Sequence, residues 1–167
     1  IVVGKTDEPR WLNLHDAKES LKDGISVWDH LSDQNPDIVL VGIGDYMTRE
    51  CIASIQLLKQ HAPIIQIRFV NINKISAKCN CLNAVHPQIP NAVKYLTEDK
   101  PVVVNFHGYP ETMKSIFFDL PNPSRFSIHG YIENGGTTTP FDLMTRNGVS
   151  RFDLAIDIIK RMKNLLG

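Results

Sequence analysis

The chain has 167 residues, 43% of them hydrophobic and 22% charged, the size and make-up of one globular domain with its own core rather than of a disordered segment. Its 18 basic and 18 acidic residues cancel, and no stripe or block of Lys and Arg runs along it, which argues against a nucleic acid partner. No apolar run approaches the roughly 20 residues that span a bilayer, and the apolar part of IVVGKTDEPRW is too short for a signal sequence, so a cytoplasmic protein without a membrane partner is expected.

Ile1, standing inside an apolar run where a methionine would open a whole protein, suggests a piece of something longer. Asn13 can cap a helix over HDAKESLKD that Gly24 would end, and ISVW follows as an edge strand. IVLVGIG (38–44) is a continuous apolar run, the pattern of a strand covered on both faces. In TRECIASIQLLKQ, Cys51, Ile52, Ile55 and Leu58 recur at helical spacing behind Thr48 as a cap. IIQIRFVNI (64–72) returns as a strand, which completes a βαβ unit. A polar stretch rich in Asn and Pro (73–91) precedes a buried strand PVVVNF (101–106), a short helix PETMKSIFFD and a strand RFSIHGYI. The last helix opens on Ser150 with Asp153 three residues on, a capping-box spacing, and carries a stripe of Phe152, Ala155, Ile156, Ile159 and Met162 that should lie on the sheet. The alternation predicts an α/β domain with a largely parallel sheet.

Candidate chemistry is sparse. Cys79 and Cys81 form a C-x-C without the second ligand pair of a structural zinc site, and buried or loop thiols are the reading favoured over a metal centre with His86. GIGD (42–45) sits at a strand-to-helix turn, but position 47 is Met where the dinucleotide fingerprint needs glycine, so a tight turn is the better reading. Ligands gather at the carboxyl ends of strands in open α/β sheets, which gathers Gly44-Asp45, Asn71 to Asn73 and His107-Gly108-Tyr109 along one edge. No serine elbow, acidic pair or H-x-x-x-H accompanies them. The tripeptide HGY occurs twice, at 107–109 and 129–131. His129, interrupting an alternating strand, reads as a histidine hydrogen-bonded within the fold. Trp11 and Trp28 read as packing residues. The loop at 133–140 reads as a structural corner in which Gly135 and Gly136 supply unusual dihedrals, threonine hydroxyls satisfy backbone groups and Pro140 starts the next segment.

Four stretches, GKTDEPRWLNLHDAKESLKDGISVW, DIVLVGIGDYMTRECIASIQLLKQHAPIIQIRFVNI, YLTEDKPVVVNFHGY and FSIHGYIENGGTTTPFDLMTRNGVSRFDLAIDII, taken in that order, resemble the C-terminal domain of the thiamine-diphosphate-dependent phosphoketolases. The resemblance runs over nearly the whole chain, and HGY, a glycine, TTTPFD and an RFDL helix start are its most specific part. The chain departs from the family pattern at Met47 and Asn73, and 74–91 fits it poorly.

The resemblance implies a single domain over 1–167, with 1–12 as a linker leading into it, folded like the transketolase C-terminal domain: three layers, α/β/α, around a mostly parallel five-stranded sheet. It implies an enzyme that splits xylulose 5-phosphate, and in many members fructose 6-phosphate, with inorganic phosphate to acetyl phosphate and a shortened aldose phosphate. Thiamine diphosphate and Mg²⁺ would belong to the preceding domains of a homodimer, so that this fragment supports and assembles and is inactive alone, with no catalytic residue of its own. The one position it assigns toward the substrate phosphate is Lys5. A second reading of the residues stays open, a self-sufficient α/β module that binds a nucleotide or a sugar phosphate.

Overall fold

The structure, a computed structural model, describes residues 7–80, 84–89 and 92–163, with the backbone path alone for 76–80 and 84–88. Asn13 caps α1 (Leu14–Asp23) by accepting from the Asp16 amide, and Gly24 ends it in a left-handed conformation. β1 (Ile25–Val27) is short. β2 (Ile38–Ile43) is buried at every position because its residues alternate between two cores. Ile38 and Leu40 enter one, while Val39 and Val41 enter the other. α2 (Asp45–His61) and β3 (Ile67–Ile72) complete the first βαβ unit.

The stretch after β3, which fits the family pattern poorly, forms an antiparallel hairpin of β4 (Ser76–Asn80) and β5 (Ala84–Gln88), separate from the main sheet. α3 (Ala92–Leu96), β6 (Val102–Phe106), α4 (Pro110–Phe117), β7 (Phe126–Gly130), α5 (Pro140–Arg146) and α6 (Arg151–Arg161) follow. The main sheet has five strands in the order β1-β3-β2-β6-β7. All neighbours are parallel except the edge pair β1 and β3, where Ile25 faces Ile72 and Val27 faces Val70. α2 and α6 cover one face around Cys51, Ile55, Leu58, Leu154 and Ile158, and α3 and α4 cover the other around Leu96, Met113 and Phe117. The result is the expected three-layer arrangement of helices on both sides of a mostly parallel sheet.

Three expectations change. The strand after α2 begins at Ile67, not Ile64, which is exposed. Thr48 is no cap: α2 starts three residues earlier with Gly44 at its N-cap, and the Thr48 hydroxyl accepts instead from Asn71. On α6 the capping box of Ser150 and Asp153 forms as expected, and Ala155, Ile159 and Met162 of the expected stripe pack on the core, but Leu154 and Ile158 are buried there in place of Phe152 and Ile156. Phe152 and Ile156 lie on another side of the helix, half exposed at 52% and 50%. Phe152 and Leu154, like Ile156 and Ile158, are two residues apart, about 200° around a helix, so only one of each pair can meet the sheet.

Residues 8–12, within the segment expected as a linker, are held against this frame. Trp11 and Leu12 pack on the core under α2 and α6, and Glu8 pairs with Arg49 at 2.8 Å.

Candidate functional site at the carboxyl edge of the sheet

The chain leaves β2 toward β3 through α2 on one face and leaves β6 toward β7 through α4 on the other, so the crevice of this α/β sheet opens where β2 and β6 end side by side. A cleft of about 480 Å³ lies along that edge, lined among others by Gly44, Asp45, Thr48, Asn71, Asn73 and His107. These include residues from all three expected groups; Gly108 and Tyr109 do not line it, and Tyr109 precedes α4 as its N-cap. Gly44 has φ 99°, and a Cβ there would meet the His107 Cβ at 2.7 Å. Gly44 of GIGD therefore serves a tight turn against a neighbouring loop rather than an approach to a diphosphate.

The polar groups of the edge are mostly engaged by the protein itself. Asn71 donates to the Gly42 carbonyl at 3.2 Å and to the Thr48 hydroxyl at 3.0 Å. Asn105, fully buried, donates to the carbonyls of Val149 at 3.0 Å and Met47 at 3.4 Å. His107 sits edge-on between the rings of Tyr46 and Tyr131, with centroids 5.8 and 5.6 Å away. The Arg49 guanidinium lies over Tyr46, 4.9 Å from its centroid.

The two HGY copies are not equivalent. β6 and β7 pair Asn105 with His129 and Phe106 with Gly130, so the second tripeptide is two residues out of step with the first. His129 is hydrogen-bonded within the fold, as the sequence suggested: Nδ1 lies 2.7 Å from the Gly148 carbonyl and Nε2 3.0 Å from Asp157. Burial by itself would raise the Asp157 pKa. Bonds from His129 and Ser127, with the Arg161 charge, outweigh it and hold the carboxyl at about 2.

Beside the cleft, on the α2 side, is a buried ionic cluster that the sequence reading did not find. Glu50 is fully buried and accepts from the Arg151 amide at 2.9 Å and from its guanidinium at 2.9 and 2.7 Å. Burial would raise the Glu50 pKa, but the Arg151 bonds prevail and keep the carboxyl below its ordinary value. Arg49 lies 3.7 Å from the same carboxylate while it holds Glu8. The only signal in the sequence was an acidic residue between Arg49 and the buried run Cys51-Ile52.

Nothing in this constellation is a nucleophile held by a base. Burial pushes the Cys51 thiol far above its ordinary value, which makes it a core thiol. Among the described residues no group of three or more His, Cys, Asp or Glu side chains is placed to hold a metal ion, and no helix is long and apolar enough to cross a membrane. Lys5, the residue expected to reach a substrate phosphate, lies outside the described residues, as does Cys81; Cys79 and His86 are described by backbone alone. At the corner 133–140, Gly135 is left-handed at φ 72° while Gly136 is not among the positive-φ glycines. Thr139 caps α5 by accepting from the Asp142 amide, Thr138 donates to the Asp142 carboxylate, and Pro140 opens the helix.

Comparison with known proteins gives a consistent picture. The sequence model of the XFP C-terminal domain matches residues 5–166. The probable phosphoketolase of Brucella abortus (strain 2308) is 34% identical over 97% of this chain and 21% of its own length. That of Rhodopseudomonas palustris (strain HaA2) is 36% identical over 100% of this chain and 22% of its own. The chain thus spans about a fifth of the length of the curated relatives it matches. Among solved structures, transketolase from Leishmania mexicana superposes with a TM-score of 0.58 over 87% of this chain and 19% of that one, at 13% identity. A transketolase from Pichia stipitis in complex with sedoheptulose 7-phosphate gives 0.59 over 87% and 19%, at 12% identity. At such identities the likeness concerns the fold.

Proposed function

This chain belongs to the XFP C-terminal domain family, and on that premise we propose that it is the C-terminal structural and assembly domain of a phosphoketolase. The full-length enzyme would cleave xylulose 5-phosphate, and fructose 6-phosphate where accepted, with inorganic phosphate to acetyl phosphate and an aldose phosphate. It would act in the cytoplasm as a homodimer. The observation that carries the reading is the similarity to probable phosphoketolases along almost the whole chain, at about a third identity, within proteins roughly five times as long.

Thiamine diphosphate with its divalent ion does not fit the residues described here. The first turn of α2 carries Asp45, whose charge opposes a diphosphate, and the Gly44 turn is closed by His107. We therefore assign the cofactor and the carbon–carbon cleavage to the preceding domains and derive no step through it in this chain. The domain's own share is to present Lys5 to the phosphate of the substrate, a charge-assisted contact. The alternative, a stand-alone sugar-phosphate or nucleotide module, is disfavoured because the cleft's Asn71 and Thr48 are already bonded to each other.

Steady-state kinetics of the full-length enzyme test the assignment. Losing a charge-assisted bond costs about 1.5 to 3 kcal/mol, so Lys5→Ala should lower kcat/KM for the sugar phosphate or for inorganic phosphate by roughly ten- to a hundredfold. Affinity for thiamine diphosphate should stay unchanged. An alanine enzyme with wild-type constants for both substrates would remove Lys5 from the reaction.

A further inference from the structure

The side of α6 turned from the sheet carries Phe152 and Ile156, one turn apart and each about half exposed. Phe141, at the start of α5, meets Phe152 edge-on with ring centroids 6.3 Å apart. Ile132, 37% exposed, shares with Ile156 a groove of about 440 Å³. Four large apolar side chains from three segments therefore lie exposed on the same side of the domain, joined by the Phe141–Phe152 contact and the groove between Ile132 and Ile156.

The patch is linked by consecutive contacts to the place where the chain arrives on α2. The Arg151 guanidinium lies 5.8 Å from the Phe141 ring while it grips Glu50, and Arg49, beside Glu50, holds Glu8. We propose that Phe141, Phe152, Ile156 and Ile132 are the docking face for the preceding part of the same longer polypeptide, an inference that rests on the functional reading above. Two facts select this occupant. The domain accounts for about a fifth of its relatives' length, so most of such a protein lies outside it. The Glu8–Arg49 pair also holds the approaching chain on α2, at the other end of the Arg49–Glu50–Arg151–Phe141 series of contacts, so a preceding domain would meet the patch as a tethered, intramolecular partner, an advantage that a free partner lacks. Two phenylalanines with an arginine beside them, next to a groove that Lys160 also lines, make an aromatic anchor with polar neighbours suited to a protein surface.

Hydroxyl-radical footprinting of the full-length protein reads this directly, with the urea-unfolded protein as the reference for each peptide. The expected result is that Phe141, Phe152 and Ile156 are oxidised several-fold more slowly than their exposure in this domain would give. Oxidation at the rate of an open phenylalanine overturns the proposal. Protection that vanishes on dilution through dissociation of the dimer would assign the patch to a second copy and overturn it as well. Phe152→Asp, a change the domain's own surface should accommodate, is expected to split a separate, lower thermal transition from the full-length protein; a single unchanged transition counts against docking. The acetyl phosphate assay separates the two readings: a protected patch in an enzyme that forms no acetyl phosphate supports docking and removes the functional reading, and an open patch in an active enzyme does the reverse.

Discussion

Among the described residues, each face of the sheet buries one charged group, and the two are satisfied in opposite ways. On the α2 and α6 side, Glu50 is fully buried and neutralised by Arg151, with Arg49 close by. On the α3 and α4 side, Arg125 is buried with no carboxylate among its hydrogen-bond partners. It donates to the carbonyls of Leu96 at 3.0 Å, Lys100 at 2.6 Å, Thr97 at 2.8 Å and Pro121 at 3.3 Å. The first site joins two side chains from distant parts of the chain. The second uses one side chain to gather several carbonyls at the end of α3, where Thr97 stands at φ 60°. A pair of side chains can be replaced together; backbone carbonyls cannot.

Substitution at the ionic site should have the largest effect. Arg151→Ala leaves the fully buried Glu50 carboxylate without its main partner and should destabilise the domain by about 3 to 5 kcal/mol in urea unfolding. The double variant Glu50→Leu with Arg151→Met should recover most of that loss, since an apolar pair of similar volume needs no neutralisation. Equal instability of the single and double variants would mean that the cluster acts through something other than charge.

Arg125→Met should cost about 2 to 4 kcal/mol, because several part-buried carbonyls lose their donor. No single apolar substitution elsewhere should restore it. Arg125→Lys should recover only part, since an ammonium does not present the planar fork that reaches separate carbonyls. Full rescue by lysine would blur the distinction between the two sites.

A third, smaller effect belongs to pH. The Asp157 carboxyl is held at about 2 in the folded domain, below the ordinary carboxylate value near 3.9. A depressed folded pKa contributes stability that is present above the unfolded value and is lost as pH falls through the folded one. Its contribution, about 2 kcal/mol, should therefore disappear between roughly pH 4 and pH 2. Asp157→Asn should flatten the stability profile in that window, and an unaltered profile would show that the His129 bridge carries no such linkage.

The smallest prediction separates two adjacent glycines. Gly135 is left-handed with open space where a Cβ would stand, so Gly135→Ala should cost about 1 kcal/mol from backbone strain alone. Gly136→Ala, with open space and no positive φ, should leave the melting temperature unchanged.

Much of the fold could be read from the sequence because strands buried on both faces announce themselves. IVLVGI and VVVNF need no choice of face, since alternate residues serve opposite cores. The phase of α6 was harder. Phe152 and Leu154 are both apolar, and what decides between them is packing against α2, about a hundred residues earlier, and β6, about fifty residues earlier, which no local pattern shows. Thr48 resembled a cap because an apolar period follows it, yet the turn at Gly44 had already started the helix. The partner of Glu50 was invisible for a simpler reason: an acidic residue in an apolar helix calls for a cation, but nothing local names Arg151 among the arginines of the chain. Of the candidate site, the carboxyl edge was legible from the order of the elements, whereas the engagement of Asn71 and Thr48 with each other depends on strand register.

The two tryptophans, Trp11 and Trp28, both lie in the core beneath α2 and α6. Trp28 is buried, edge-on to Phe69 and stacked on His30, and its indole nitrogen has no hydrogen-bond partner. Its emission should therefore be blue-shifted in the folded domain and move to longer wavelength when that core opens. The Arg125 side holds no indole at all, so a local opening around α3 would pass unseen in tryptophan fluorescence. Tyr95, whose hydroxyl donates to Asp23 at 2.6 Å, is the chromophore placed to report it. Followed at both wavelengths, one denaturation experiment would tell which half of the sandwich gives way first.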